Sequence, residues 1–134
     1  MGMSEDEMRK LAYEMSFYRS QAAEMERQNA MVQQLLEENS ATTKALESLG
    51  GISKETMFSV GSGVFIKGKA TDEKRVLVEI GSHIIAEKTV EEAKALLAEK
   101  KKELSKAAAE LSASMAEASR RMGDVEARAA ALQK

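Results

Sequence analysis

The residues that could do chemistry are few and do not converge. Gly61-Ser62-Gly63 has the composition of a phosphate loop, but such a loop must open a helix for its amides to cradle a phosphate. The strand-like run VFIK follows instead, so the segment reads as a hairpin turn. His83 is the one histidine and cysteine is absent, so no second imidazole or thiolate stands ready to share a metal, and His83 reads as a strand-end residue. Glu91 and Glu92 could pass for an acid/base pair. Neighbouring helix positions diverge by about 100°, however, and acids in a first turn already interact with the helix dipole. Lys100-Lys101-Lys102 reads as a solvated face. With no nucleophile, base and orienting group assembled, the chain reads as a non-enzyme that needs neither metal nor cofactor.

Bulk properties narrow the class. The chain has 134 residues and a formal net charge of -2, with 31% charged and only 4% aromatic residues. The length suits one domain. The charge balance supplies no basic patch for nucleic acid. No stretch approaches the roughly 18 apolar residues of a membrane span, and no apolar signal core opens the chain. Absence of cysteine fits a reducing compartment, so a cytoplasmic location is expected. Ala, Glu, Lys, Leu and Met dominate, the composition of long helices.

Those helices can be located from spacing. Ser4 and Glu7 form a capping box that predicts a helix from residue 4, and Gly50-Gly51 predicts its end near residue 49. Within it Met8, Leu11, Met15, Tyr18, Ala22, Met25, Asn29, Val32, Leu36, Asn39, Thr43 and Leu46 alternate steps of three and four. That is the 3.5-residue repeat of a coiled coil. Asn29 and Asn39 fall on this seam, where a polar residue fixes register, with a binding role as the alternative. A second box, Thr89 with Glu92, predicts a helix over 89–134. Its Leu104, Ala108, Leu111, Met115, Ala118, Met122, Val125, Ala129 and Leu132 repeat the rhythm. Val90, Ala93, Leu97 and Lys101 continue the face with one stutter. Each helix would reach ~65 Å, and equal arms on either side of an insert predict an antiparallel pair.

The insert, 55–88, reads as two β-hairpins. TMFSV and VFIKGKA flank Gly61-Ser62-Gly63; RVLVEI and HIIAEK flank Gly81-Ser82. Two hairpins cannot bury so dense an apolar set alone, and their open edges invite pairing. Oligomerisation is therefore expected, with Met57, Val60, Val64, Ile66, Val76, Val78, Ile80 and Ile84 at the interface. The fold class is α+β: a long antiparallel two-helix coiled coil with two hairpins inserted, the strands pairing with those of other subunits.

The methionines admit two readings. Met3, Met8 and Met15 lie near the start of the first helix, and Met115 and Met122 near the end of the second, neighbours in an antiparallel pair. They are either plain seam packing or an adaptable apolar surface for varied partners. On the second reading Met3, Met8, Leu11, Met15, Met122, Val125 and Leu132 form a substrate-binding tip.

Long helix, two short hairpins, long helix: this order resembles the alpha-type subunits of the prefoldin family. VLVEIGSHIIAEKTVEEAKALL is similar to that family's last hairpin running into its helix start, and ETMFSVGSGVFIKGKAT to its first hairpin. The resemblance implies a hexamer of two alpha-type and four beta-type subunits, joined through a double β-barrel. It implies ATP-independent capture of unfolded client proteins at the coiled-coil tips and their delivery to a group II chaperonin. The alternative is a structural coiled coil that links into a scaffold or filament.

Overall fold

The computed structural model describes residues 2–49 and 54–133, with side-chain surroundings from Glu5 onward. Helix α1 spans Gly2–Glu47, strands β1 to β4 span Thr56–Gly61, Val64–Gly68, Arg75–Gly81 and Ile84–Thr89, and helix α2 spans Val90–Leu132. Two compact units result, Met1–Leu35 with Leu104–Lys134, and Leu36–Glu103.

The seam reading of α1 matches the structure position by position. From Met8 to Leu46 every expected seam residue is half-buried or buried, and between Glu5 and Glu47 only Glu14 otherwise escapes full exposure. From Leu104 to Leu132 the expected positions of α2 are likewise covered. Lys101, where the spacing stutters, is exposed.

In the first unit Arg128 donates to Glu14 (2.7 Å) and Arg121 to the Tyr18 hydroxyl (3.4 Å). Rising numbers on α1 thus meet falling numbers on α2, an antiparallel pair. Val125 is 2% and Leu11 7% exposed, but a two-helix seam has no third layer, and no large side chain among the described residues is fully buried.

In the second unit the buried amide of Asn39 donates to the Leu97 carbonyl at 2.9 Å, while Thr43 Oγ1 donates to the Asn39 carbonyl at 2.9 Å. Asn39 thereby ties α1 to one rung of α2, as expected of a seam asparagine.

The start of α1 differs from expectation. The helix begins at Gly2, so Ser4 lies inside it rather than at its cap. An exposed first turn can leave its amides to water, and no side-chain cap is required for it to form. The side chains of Met3 and Ser4, and Gly50-Gly51, lie outside the described residues. At the other end Ser48 N donates to the carbonyls of Lys44 and Ala45, both at 3.1 Å, which tightens the last described turn.

The second capping box forms as read. Thr89 N donates to Glu92 Oε1, and Glu92 N donates to Thr89 Oγ1, both at 3.1 Å. Strand β4 therefore passes into α2 without a loop. Val90 N also donates to the Lys74 carbonyl at 2.9 Å, and Asp72 accepts from Lys74 N at 2.8 Å. These bonds fix the helix start to the turn that precedes β3.

The strands form two separate antiparallel hairpins, β1 with β2 and β3 with β4. Each sheet has only two strands, so every strand is an edge.

Candidate functional surfaces

Both hairpins use one construction. Each has a two-residue loop with positive φ at both positions, Ser62 (51°) and Gly63 (78°), then Ser82 (48°) and His83 (63°). Each loop follows a glycine at a register shift, Gly61 (φ 109°) and Gly81 (φ 130°). Two positive φ values mark the hairpin turn whose twist matches the flanking strands. Gly61-Ser62-Gly63 is such a turn, and no helix follows it. His83 belongs to the second turn rather than to a strand. Its imidazole is exposed, 3.5 Å from Glu79 Oε1. Among the described residues no group of three His, Cys, Asp or Glu side chains is placed to hold a metal.

Register decides which side chains share a face, because partners across a pair point the same way. In the first hairpin Phe58 pairs with Ile66, and Met57 and Ser59 on the opposite face pair with Lys67 and Phe65. Apolar groups thus occupy both faces: Met57 is 68% exposed, and Val60, Val64, Phe65 and Ile66 are exposed as well. Gly68 keeps room for the Phe58 ring, since a Cβ there would meet Phe58 Cε2 at 3.2 Å.

The second hairpin is two-sided in another sense. Val76, Val78 and Ala86 are half-buried, and the two valines help line a groove of about 670 Å³ with Thr42, Leu46, Ala93 and Leu97. The opposite face presents Leu77, 74% exposed, and Ile85, 63% exposed. Leu77 pairs with Glu87 and Ile85 with Glu79; Arg75 reaches Glu87 at 3.4 Å.

Of the expected interface residues, Met57, Val60, Val64, Ile66, Ile80 and Ile84 are exposed, Ile80 at the rim of the groove, whereas Val76 and Val78 are half-buried on the face turned to the chain's own helices. Phe65, Leu77 and Ile85 are exposed residues that the interface reading left out. The signal for Leu77 was present in the period-two alternation of RVLVEI, which places it opposite Val76 and Val78.

Burying a large apolar side chain is worth roughly 2 kcal/mol, so these exposed residues together can outweigh the several kcal/mol that association costs. Unpaired edges beside them supply backbone donors and acceptors for strand addition.

The expected tip residues lie in the first unit. Leu11 and Val125 are buried, and Met8, Met15, Met122 and Leu132 half-buried; Met3 lies outside the described side chains. Near them a groove of about 360 Å³ is lined by Glu7, Lys10, Leu11, Glu14, Arg128, Ala131 and Leu132. Tyr13 and Phe17, off the seam, are exposed. Leu11 and Val125 become accessible only when the helices part, since in this conformation both are buried in the seam, whereas Tyr13 and Phe17 are open already.

No helix among the described residues is long and apolar enough to cross a membrane. The prefoldin family profile, described as Prefoldin subunit, matches residues 18–134. Among curated proteins, the chain is 31% identical over 96 residues to prefoldin subunit alpha of Thermofilum pendens, covering 70% of this chain and 74% of that one. It is 35% identical over 94 residues to prefoldin subunit alpha of Methanobrevibacter smithii, covering 69% and 64% respectively. Among solved structures it is similar to a filamentous PFD from Methanocaldococcus jannaschii determined by cryo-EM. There the TM-score is 0.53 with 26% identity, over 91% of this chain and 97% of that one.

Proposed function

Because the chain belongs to the prefoldin family, we propose that it is an alpha-type chaperone subunit that assembles through its hairpins and holds unfolded proteins without nucleotide. The observation that carries this reading is the exposed apolar surface of the hairpins, joined without a loop to a long helix capped at Thr89. A fold with its stickiest residues at strand edges is built for assembly. The helical arms are then free to act on other chains.

The finer assignments belong to the same proposal. Hairpins of several subunits close a β-barrel, with four beta-type subunits beside two of this type. Unfolded clients bind the tip side chains Met3, Met8, Leu11, Met15, Met122, Val125 and Leu132 as the helix ends fray, and pass on to a group II chaperonin. Helix ends have the fewest neighbours and open most readily, and several weak tips in one oligomer gain avidity. A role without catalysis, in the cytoplasm, completes the reading. A second reading, self-assembly into a filament, is favoured by the likeness to a filamentous relative.

Native mass measurement tests the assembly. Leu77→Asp puts a charge on the exposed face of the second hairpin, at a side chain that is 74% exposed. It is expected to release monomers or small species with helix content unchanged. An unaltered assembly mass would remove Leu77 from the interface. Measured alone and with a beta-type subunit, the unsubstituted chain distinguishes an open-ended polymer from a closed hexamer.

A further inference from the structure

The nine methionines are unevenly placed. Met8, Met15, Met25, Met115 and Met122 occupy the seam of the first unit, all half-buried, and Met31 is exposed beside it. The helix seam of the second unit contains none; its single methionine, Met57, stands exposed on β1. Cysteine and tryptophan are absent, so thioether sulfur is the softest target in the chain. A two-helix seam leaves those sulfurs only partly covered.

We propose that the seam methionines of the first unit are a modification site for peroxide-class oxidants, and that their oxidation opens this helix pair while leaving the second unit closed. In the reaction one oxygen atom passes from the peroxide to sulfur. The O–O bond breaks, an S–O bond forms, sulfur loses two electrons, and the peroxide leaves as water. The product is a polar, chiral sulfoxide in place of a flexible apolar side chain. Such a group favours water, and in a seam without a third layer the helices part to give it water. Leu11 and Val125, now buried, would then be uncovered. Sulfoxides are reversed by methionine sulfoxide reductases, so the site would act as a switch. Resting on the function proposed above, the opened state offers Leu11, Val125 and Leu132 to unfolded chains in place of the oxidised methionines, so oxidation changes holdase capacity.

The test uses the full-length assembly, treated with hydrogen peroxide and followed by hydrogen exchange with mass spectrometry, which reads each segment separately from β1. Exchange is expected to accelerate at least roughly tenfold over residues 8–32 and 104–132 and to stay unchanged over 36–47 and 90–103, since exchange follows local opening. Sulfoxide reductase should reverse the change, and replacing all five seam methionines with leucine, a volume-conserving swap, should abolish it. The proposal is overturned if the seam methionines resist oxidation, if exchange is unaltered or rises equally in both units, or if the leucine variant opens as well. Client protection is read in parallel. Failure of the untreated assembly to protect would count against the chaperone reading alone, whereas unchanged exchange would count against the switch alone.

Discussion

Asn39 holds a buried seam position that an apolar residue would fill, and its amide donates to the Leu97 carbonyl at 2.9 Å. Asn39→Asp keeps the shape but replaces the donor with an oxygen. At neutral pH the carboxylate faces a carbonyl, a loss of about 2–3 kcal/mol. Repulsion and burial raise the folded-state pKa above the unfolded value of about 3.9. Below that value the protonated acid can donate again, so most of the loss is recovered. The penalty grows as pH rises through the folded pKa. Urea unfolding of both proteins at low and neutral pH checks this, and a pH-independent difference would contradict it. His83 poses the opposite case. It is held at φ 63° with its side chain 99% exposed, so it carries left-handed strain without packing in return. His83→Gly is expected to stabilise the second hairpin by up to about 1 kcal/mol, read as a higher urea midpoint. A lower midpoint would mean that the Glu79 contact matters more than the backbone.

Among the elements, the passage from β4 into α2 shows how short-range chemistry sets a boundary. Hydrogen bonds from Thr89 hold the Glu92 carboxyl below the usual range, the backbone amide contributing most. A carboxyl with a depressed folded pKa stabilises above its unfolded value and ceases to do so as pH falls through the folded value. Glu92→Ala should therefore lower the melting temperature at pH 7, with the gap to the unsubstituted protein closing below about pH 4.5, the ordinary glutamate value. A gap that persists in acid would mean that Glu92 acts by something other than its charge.

This boundary was legible in the sequence because Thr89 and Glu92 are a local signal, as were the seams, whose repeat recurs through both helices. The hairpins were legible from their glycine turns. Which strand face turns inward was not. Val76 and Val78 on one side and Leu77 and Ile85 on the other are all apolar, so alternation separates the faces but does not rank them. Ser4 misled for a different reason: a cap signal near a helix end does not forbid the helix from extending past it.

For the whole molecule, the division of labour follows where apolar surface is left open. In the second unit it lies on the hairpins, fixed and exposed, which suits permanent partners. In the first unit Leu11, Val125 and five methionines are folded into a seam, with Tyr13, Phe17 and Met31 exposed beside it, which suits partners that come and go as the helix pair opens. Assembly and capture would then depend on separate residues, and removing one should spare the other. Light scattering of a chemically denatured client diluted into buffer without nucleotide tests this most directly, with full-length assembly compared against assembly lacking residues 1–9 and 125–134. The full-length assembly is expected to suppress scattering, and the shortened one, of undiminished subunit number, to suppress it far less. Equal suppression by the two, or none by either, would contradict the account.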